Sequence, residues 1–136
     1  KELSRFLEER EEELLVENTV QRPETIYKTM NSLPEAGFCL DVGHANLFRE
    51  ENVSTEIIEN LKQRIRHVHL HDNKGGNSQD WDLHLPIGVG SIDFRPIFRA
   101  LKNMGYGGDI LLEIGTHTVD YQKISLQRVR KIVQNI

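Results

Sequence analysis

Four short apolar runs each end in, or carry, a side chain able to bind a metal or move a proton. Glu17 closes Leu14-Leu15-Val16, and Asp41 closes Phe38-Cys39-Leu40. His69 lies within Val68-His69-Leu70, and Glu113 follows Ile110-Leu111-Leu112. Short apolar runs of this kind read as strands of a parallel sheet buried on both faces. Each polar residue then sits where a strand meets its following loop, the edge at which parallel α/β folds build their sites. Two glutamates, an aspartate and a histidine also suit a divalent metal. The pattern therefore points to a metal enzyme.

Helical periodicity fills the intervals. Residues 2–12 are charged and helix-forming, with Leu3, Phe6 and Leu7 on one face. Pro23 opens a stretch in which Ile26, Tyr27, Met30 and Leu33 recur at helical spacing. Ser54 or Thr55 starts a helix carrying Ile57, Ile58 and Leu61, and Asp93 caps one carrying Phe94, Ile97, Phe98, Leu101 and Met104. The last helix places Leu126, Val129, Ile132, Val133 and Ile136 on one stripe. The strands fall at about 14–18, 38–42, 66–71 and 109–114. No linker divides the chain, so residues 1–136 read as one unit. Four βα units make half of a (β/α)8 barrel, whose full form takes about 250 residues. The expected fold is α/β: parallel strands inside, helices outside, as in the C-terminal half of such a barrel.

Alternation along a strand assigns the faces. His67, His69 and His71 share one face of the third strand, and Val68 and Leu70 share the other. The aliphatic face suits the helix layer, which leaves the histidines to the barrel interior. The same parity turns Leu15 and Glu17, Cys39 and Asp41, and Leu111 and Glu113 inward. Residues 72–91 show no periodicity, and a loop of that length reads as a functional, mobile lid over the site.

Composition narrows the classes further. With 38% hydrophobic and 28% charged residues the chain is globular, and no apolar run approaches a bilayer span of roughly 20 residues. No secretory signal pattern opens it. A net charge of −4 provides no basic field for nucleic acid. The single Cys39 rules out an intrachain disulfide framework and fits a reducing cytoplasm, where we expect the protein.

Five segments in order resemble the xylose isomerase-like superfamily of TIM barrels, which includes sugar and sugar-phosphate isomerases or epimerases and endonuclease IV. They are Leu-Leu-Val-Glu-Asn (14–18), Leu-Asp-Val-Gly-His (40–44), His-Val-His-Leu-His-Asp (67–72), the stretch 82–94, and Ile-Leu-Leu-Glu-Ile (110–114). They follow the order and spacing of that family's C-terminal half, and the first four βα units are absent. The resemblance implies that Glu17, Asp41, His69 and Glu113 are metal ligands and that Glu17 and Glu113 also move the substrate proton. It implies that His44 contacts substrate. Asp82 and His84 resemble the pair that binds additional zinc in endonuclease IV.

Each residue also has a plainer reading. Glu17 and Glu113 could pair with an arginine, Asp41 could cap its turn, and His69 could be a satisfied core residue. His67 and His71 stay outside the ligand set, and His84 stands between substrate contact and a solvated loop. Gly88-Val89-Gly90 reads as a turn, although the following helix N-terminus is a candidate cradle for a substrate phosphate. Trp81 either walls the pocket or anchors its loop, and Cys39 is a core residue.

The expected function is a divalent-metal-dependent sugar or sugar-phosphate isomerase or epimerase, working by proton transfer through an enediolate. Its cofactor is one manganese, magnesium, cobalt or zinc ion. Its partner is a small sugar or sugar phosphate bound with help from His44 and His84, with neither membrane nor nucleic acid expected. The alternatives are an endonuclease IV-like zinc phosphodiesterase acting at abasic DNA sites, and a half-barrel that binds metal or a partner without turnover. Open strand edges predict self-association, or pairing with an N-terminal half-barrel.

Overall fold

The structure, a computed structural model, describes residues 6, 7, 9–78, 81–115 and 118–136. Much of the expected first helix, including Leu3, lies outside the described residues. The elements run β1 (Leu15–Glu17), α1 (Pro23–Ser32), β2 (Gly37–Asp41), α2 (Ser54–Leu61), β3 (Ile65–Leu70), α3 (Phe94–Asn103), β4 (Asp109–Leu112) and α4 (Val119–Gln134). Short 3-10 turns follow β2 at His44–Asn46 and α2 at Lys62–Arg64. All strands are parallel in the order β1-β2-β3-β4. The sheet and helices are those of half a (β/α)8 barrel.

Local chemistry sets the element boundaries. Pro23 begins α1, where a missing N–H costs nothing. The Arg64 guanidinium closes that helix by donating to the carbonyls of Met30 (2.7 Å), Leu33 (2.5 Å) and Ala36 (2.6 Å). At α2 the side chain of Asn52 accepts from Ser54 N at 2.9 Å, so the helix start expected of Ser54 or Thr55 is served by Asn52. Asp93 caps α3 through Arg95 N at 3.1 Å, as expected.

The core lies between sheet and helices. Phe38, Leu40, Val68 and Leu70 are all fully buried against Met30, Ile57 and Ile58. Each such side chain contributes roughly 1.5–3 kcal/mol of burial, which holds the helix layer on the sheet. The opposite sheet face carries the polar residues, as alternation predicts. The register aligns Glu17 with Cys39, Asp41 with His69 and His69 with Leu111. The polar ends of neighbouring strands therefore lie side by side.

Helix α4 departs from its expected stripe. Val129, Ile132 and Ile136 pack on the core, while Leu126 and Val133 remain 40% and 47% exposed.

Both ends of the loop after β3 are anchored by hydrogen bonds. Asp72 and Leu85 form an antiparallel bridge, and Asp72 and Asn73 are fully buried. The Asp72 carboxylate accepts from the backbone N–H groups of Asn73 (2.9 Å), Gly88 (2.8 Å), Gly90 (2.9 Å) and Ile92 (3.3 Å). A Cβ on Gly90 would lie 2.2 Å from Asn73 O, so only glycine fits this turn. Gly88-Val89-Gly90 is thus a turn, as expected, with the amides of Gly88 and Gly90 already occupied by the chain's own anion.

Candidate metal centre

Glu17, Asp41, His69 and Glu113 meet above the strand ends, with one ligand atom of each within 4.8 Å of all the others. Nδ1 of His69 lies 2.9 Å from Glu17 Oε1, 3.2 Å from Glu113 Oε1 and 4.0 Å from Asp41 Oδ2. An imidazole nitrogen carries at most one hydrogen and cannot satisfy three carboxylates. Asp41 Oδ2 is buried without a hydrogen-bond partner. Converging negative charge and an orphaned acceptor fit a divalent cation, which takes oxygen and nitrogen ligands together. No arginine forms an ion pair with Glu17 or Glu113 among the described residues.

The backbone fixes Asp41 before any ligand arrives. Asn18, fully buried at the end of β1, donates Nδ2 to Asp41 O at 2.8 Å and accepts Asp41 N at 2.9 Å. Oδ1 of Asp41 accepts from His44 N at 2.6 Å and lies 3.2 Å from His71 Nε2. Burial pushes the Asp41 carboxyl up, but the neighbouring His71 and His44 outweigh it and hold it below the usual carboxylate range. His71 is shifted the other way: burial lowers it, and the Asp41 and Asp82 carboxylates more than restore its proton affinity. Gly43 makes this pairing possible, since a Cβ there would lie 2.1 Å from the His71 ring.

Beside this group stands a second one, formed by His44, His71, Asp82 and His84. Asp82 lies 3.2 Å from His44 Nε2 through Oδ2 and 3.3 Å from His84 Nε2 through Oδ1. The rings of His71 and His84 stack at 3.7 Å with 8° between their planes. His84 Nδ1 hydrogen-bonds Glu113 O at 2.8 Å, so it carries the hydrogen and leaves Nε2 as the neutral ring's lone-pair nitrogen. Asp41 joins the two groups, its Oδ2 lying 3.3 Å from His44 Nδ1. The arrangement can hold cations at either group, or one cation plus a hydroxyl-bearing ligand.

Residues 1–134 match the profile of the family described as xylose isomerase-like TIM barrel. The chain belongs to the xylose isomerase-like TIM barrels. An uncharacterised protein of Methanocaldococcus jannaschii is 36% identical over 93 residues, which are 67% of this chain and 30% of that protein. An inosose dehydratase of Clostridium botulinum is 34% identical over 109 residues, 69% of this chain and 36% of the enzyme. The solved structure of a D-tagatose 3-epimerase-like protein superposes with a TM-score of 0.78 at 28% identity, covering 98% of this chain and 51% of its own. The chain thus spans about half the length of that structure and about a third of these two relatives.

Within this xylose isomerase-like frame, the structure brings all six expected site residues to one sheet edge. It also adds His71, which the sequence reading left outside the ligand set. Its shared face with His69 was legible, but its pairing with Asp41 and Asp82 depends on residues distant in sequence. Asn18 was missed as well, and its strand-end position beside Glu17 was the available clue. His67 stays apart, its ring edge-on to His69 at 5.0 Å. Trp81 packs on Gly76 and serves its loop, and Cys39 is buried in the sheet.

Proposed function

We propose that this chain carries the catalytic half of a divalent-metal-dependent sugar isomerase or epimerase. The observation supporting it is the convergence of Glu17, Asp41, His69 and Glu113 on one point, with two glutamates flanking the histidine at 2.9 and 3.2 Å. These four residues would hold the ion. When bound, a divalent cation supplies Lewis-acid stabilisation for the negative charge that develops on a carbonyl oxygen.

The chain's own groups do the rest. One glutamate carboxylate takes the proton from the carbon beside the carbonyl, and the C–H electron pair moves into an enediolate. The other glutamate returns a proton, to the opposite face for epimerisation or to the neighbouring carbon for isomerisation. General acid–base help of this kind is worth about 10²- to 10⁴-fold. His44 orients a substrate hydroxyl from its place between Asp41 and Asp82. His84 supports the same hydroxyl edge, held by its bond to Glu113 O. A dehydratase, such as the inosose dehydratase relative, can share the first proton abstraction and then expel a hydroxyl instead.

The purified protein, loaded with manganese and incubated with ketoses in D2O, is expected to place deuterium on the carbon next to the carbonyl. Glu113→Gln is expected to stop this exchange. Absence of exchange from every ketose in the metal-loaded protein would contradict the reading. A second reading, zinc-dependent phosphodiester hydrolysis, is favoured by the adjacent His44, His71, Asp82 and His84 group. Cleavage of abasic duplex DNA with a steep salt dependence would support it instead.

A further inference from the structure

A cavity of about 430 Å³ opens beside the metal centre, lined by Thr19, Val20, His44, Leu47, Phe48 and Asp82. Its wall is polar at His44 and Asp82 and apolar at Val20 and Phe48. Phe48 is 40% exposed, whereas Leu47 beside it is buried. Phe48 also has a φ of 58°, a left-handed conformation that a bulky residue rarely adopts.

The surroundings impose that conformation. Phe48 N–H donates to Gly76 O at 2.8 Å, and the Arg49 guanidinium holds Gln21 O. Asn46 Nδ2 reaches Asn73 Oδ1 at 2.8 Å, which ties the loop after β2 to the loop after β3. A glycine or asparagine would accept the same backbone without strain. Part of Phe48 is covered by the fold, and the remaining 40% is left at the cavity mouth. Strain kept for an exposed aromatic at a cavity mouth is the mark of a ligand contact.

The cavity's lining identifies the ligand's chemistry. It offers imidazole and carboxylate groups for hydroxyls, and an aromatic side chain for C–H bonds. A polyhydroxylated carbon chain has both. We infer that Phe48 is a specificity-determining residue, its ring supporting the C–H face of a sugar whose hydroxyls meet His44 and Asp82. The inference rests on the sugar-isomerase reading above.

Phe48→Gly separates this role from a structural one, because it removes the ring and relieves the backbone together. Calorimetric titration of the manganese-loaded protein with D-tagatose and D-allulose is the measurement. Phe48→Gly is expected to weaken ketose binding about tenfold, the scale of a lost aromatic contact. Manganese affinity should not change, the melting temperature should hold or rise, and Phe48→Tyr should bind as the wild type does. Equal ketose binding by wild type and Phe48→Gly would overturn the inference alone, as would a melting temperature that falls in Phe48→Gly. A wild type that binds neither ketose would overturn the sugar reading and this inference with it.

Discussion

Asp41 and Asp72 are both fully buried carboxylates, and their surroundings give them opposite uses. Asp72 is satisfied by four backbone N–H groups and has no capacity left for a ligand. It acts as the internal anion that folds the loop before α3. Asp72→Ala would leave those donors buried and unpaired, and we expect a loss of roughly 3 kcal/mol or more in chemical denaturation. A stability within 1 kcal/mol of wild type, on the ordinary scale of a surface change, would contradict that role. Asp41 instead keeps one oxygen without a hydrogen-bond partner, the feature that supports the proposed metal centre. Cys39 reports on the same charge. Burial, then Glu17, Asp41 and Glu113, push its thiol up from 9.0 to about 12. A raised pKa means the folded state holds the proton more tightly. The associated stability is therefore complete below pH 9.0 and is lost as pH rises toward about 12. At pH 8 the folded, metal-free protein should leave Cys39 unreacted with a disulfide reagent until denaturant is added. Prompt labelling of the native state would show that the thiol lies outside that field.

At the scale of elements, strand identity and facing were legible because both follow from local rules. The runs around Leu15, Leu40, Val68 and Leu111 were apolar in blocks, and alternation alone turned Glu17, Asp41, His69 and Glu113 to one side. Helices α1 to α3 followed from periodicity and from Pro23 and Asp93 at their starts. What was not legible depended on distant partners. The loop after β3 looked aperiodic and free because its organiser, Asp72, binds amides 16 to 20 residues away in sequence. His71 was placed on the inward face but outside the ligand set, and only the approach of Asp41 and Asp82 makes it part of the site. The stripe on α4 was legible in sequence, but only Val129, Ile132 and Ile136 of it pack on the core.

At the scale of the whole molecule, the sheet of the described residues ends in two unpaired strands, β1 and β4. On β4, Ile110 and Leu111 are 38% and 47% exposed, and α4 adds Val119, Tyr121 and Ile124 to that side. A parallel sheet ordinarily has both faces and both edges covered. We therefore expect this 136-residue chain, prepared alone, to self-associate through these surfaces. Light scattering at micromolar concentration should report about twice the chain's mass, with dilution releasing structure as well as subunits. A stable, well-folded monomer would show that the edges are protected within the single chain.

We propose that Glu17, Asp41, His69 and Glu113 act together as one divalent-metal centre. Titration of Mn2+ into the metal-stripped protein, followed by the electron paramagnetic resonance of the free ion, reads this directly. The wild type should take up one ion tightly, and Glu17→Gln, Asp41→Asn, His69→Ala and Glu113→Gln should each weaken uptake by more than about tenfold. Equal manganese affinity in the wild type and all four variants would contradict the account.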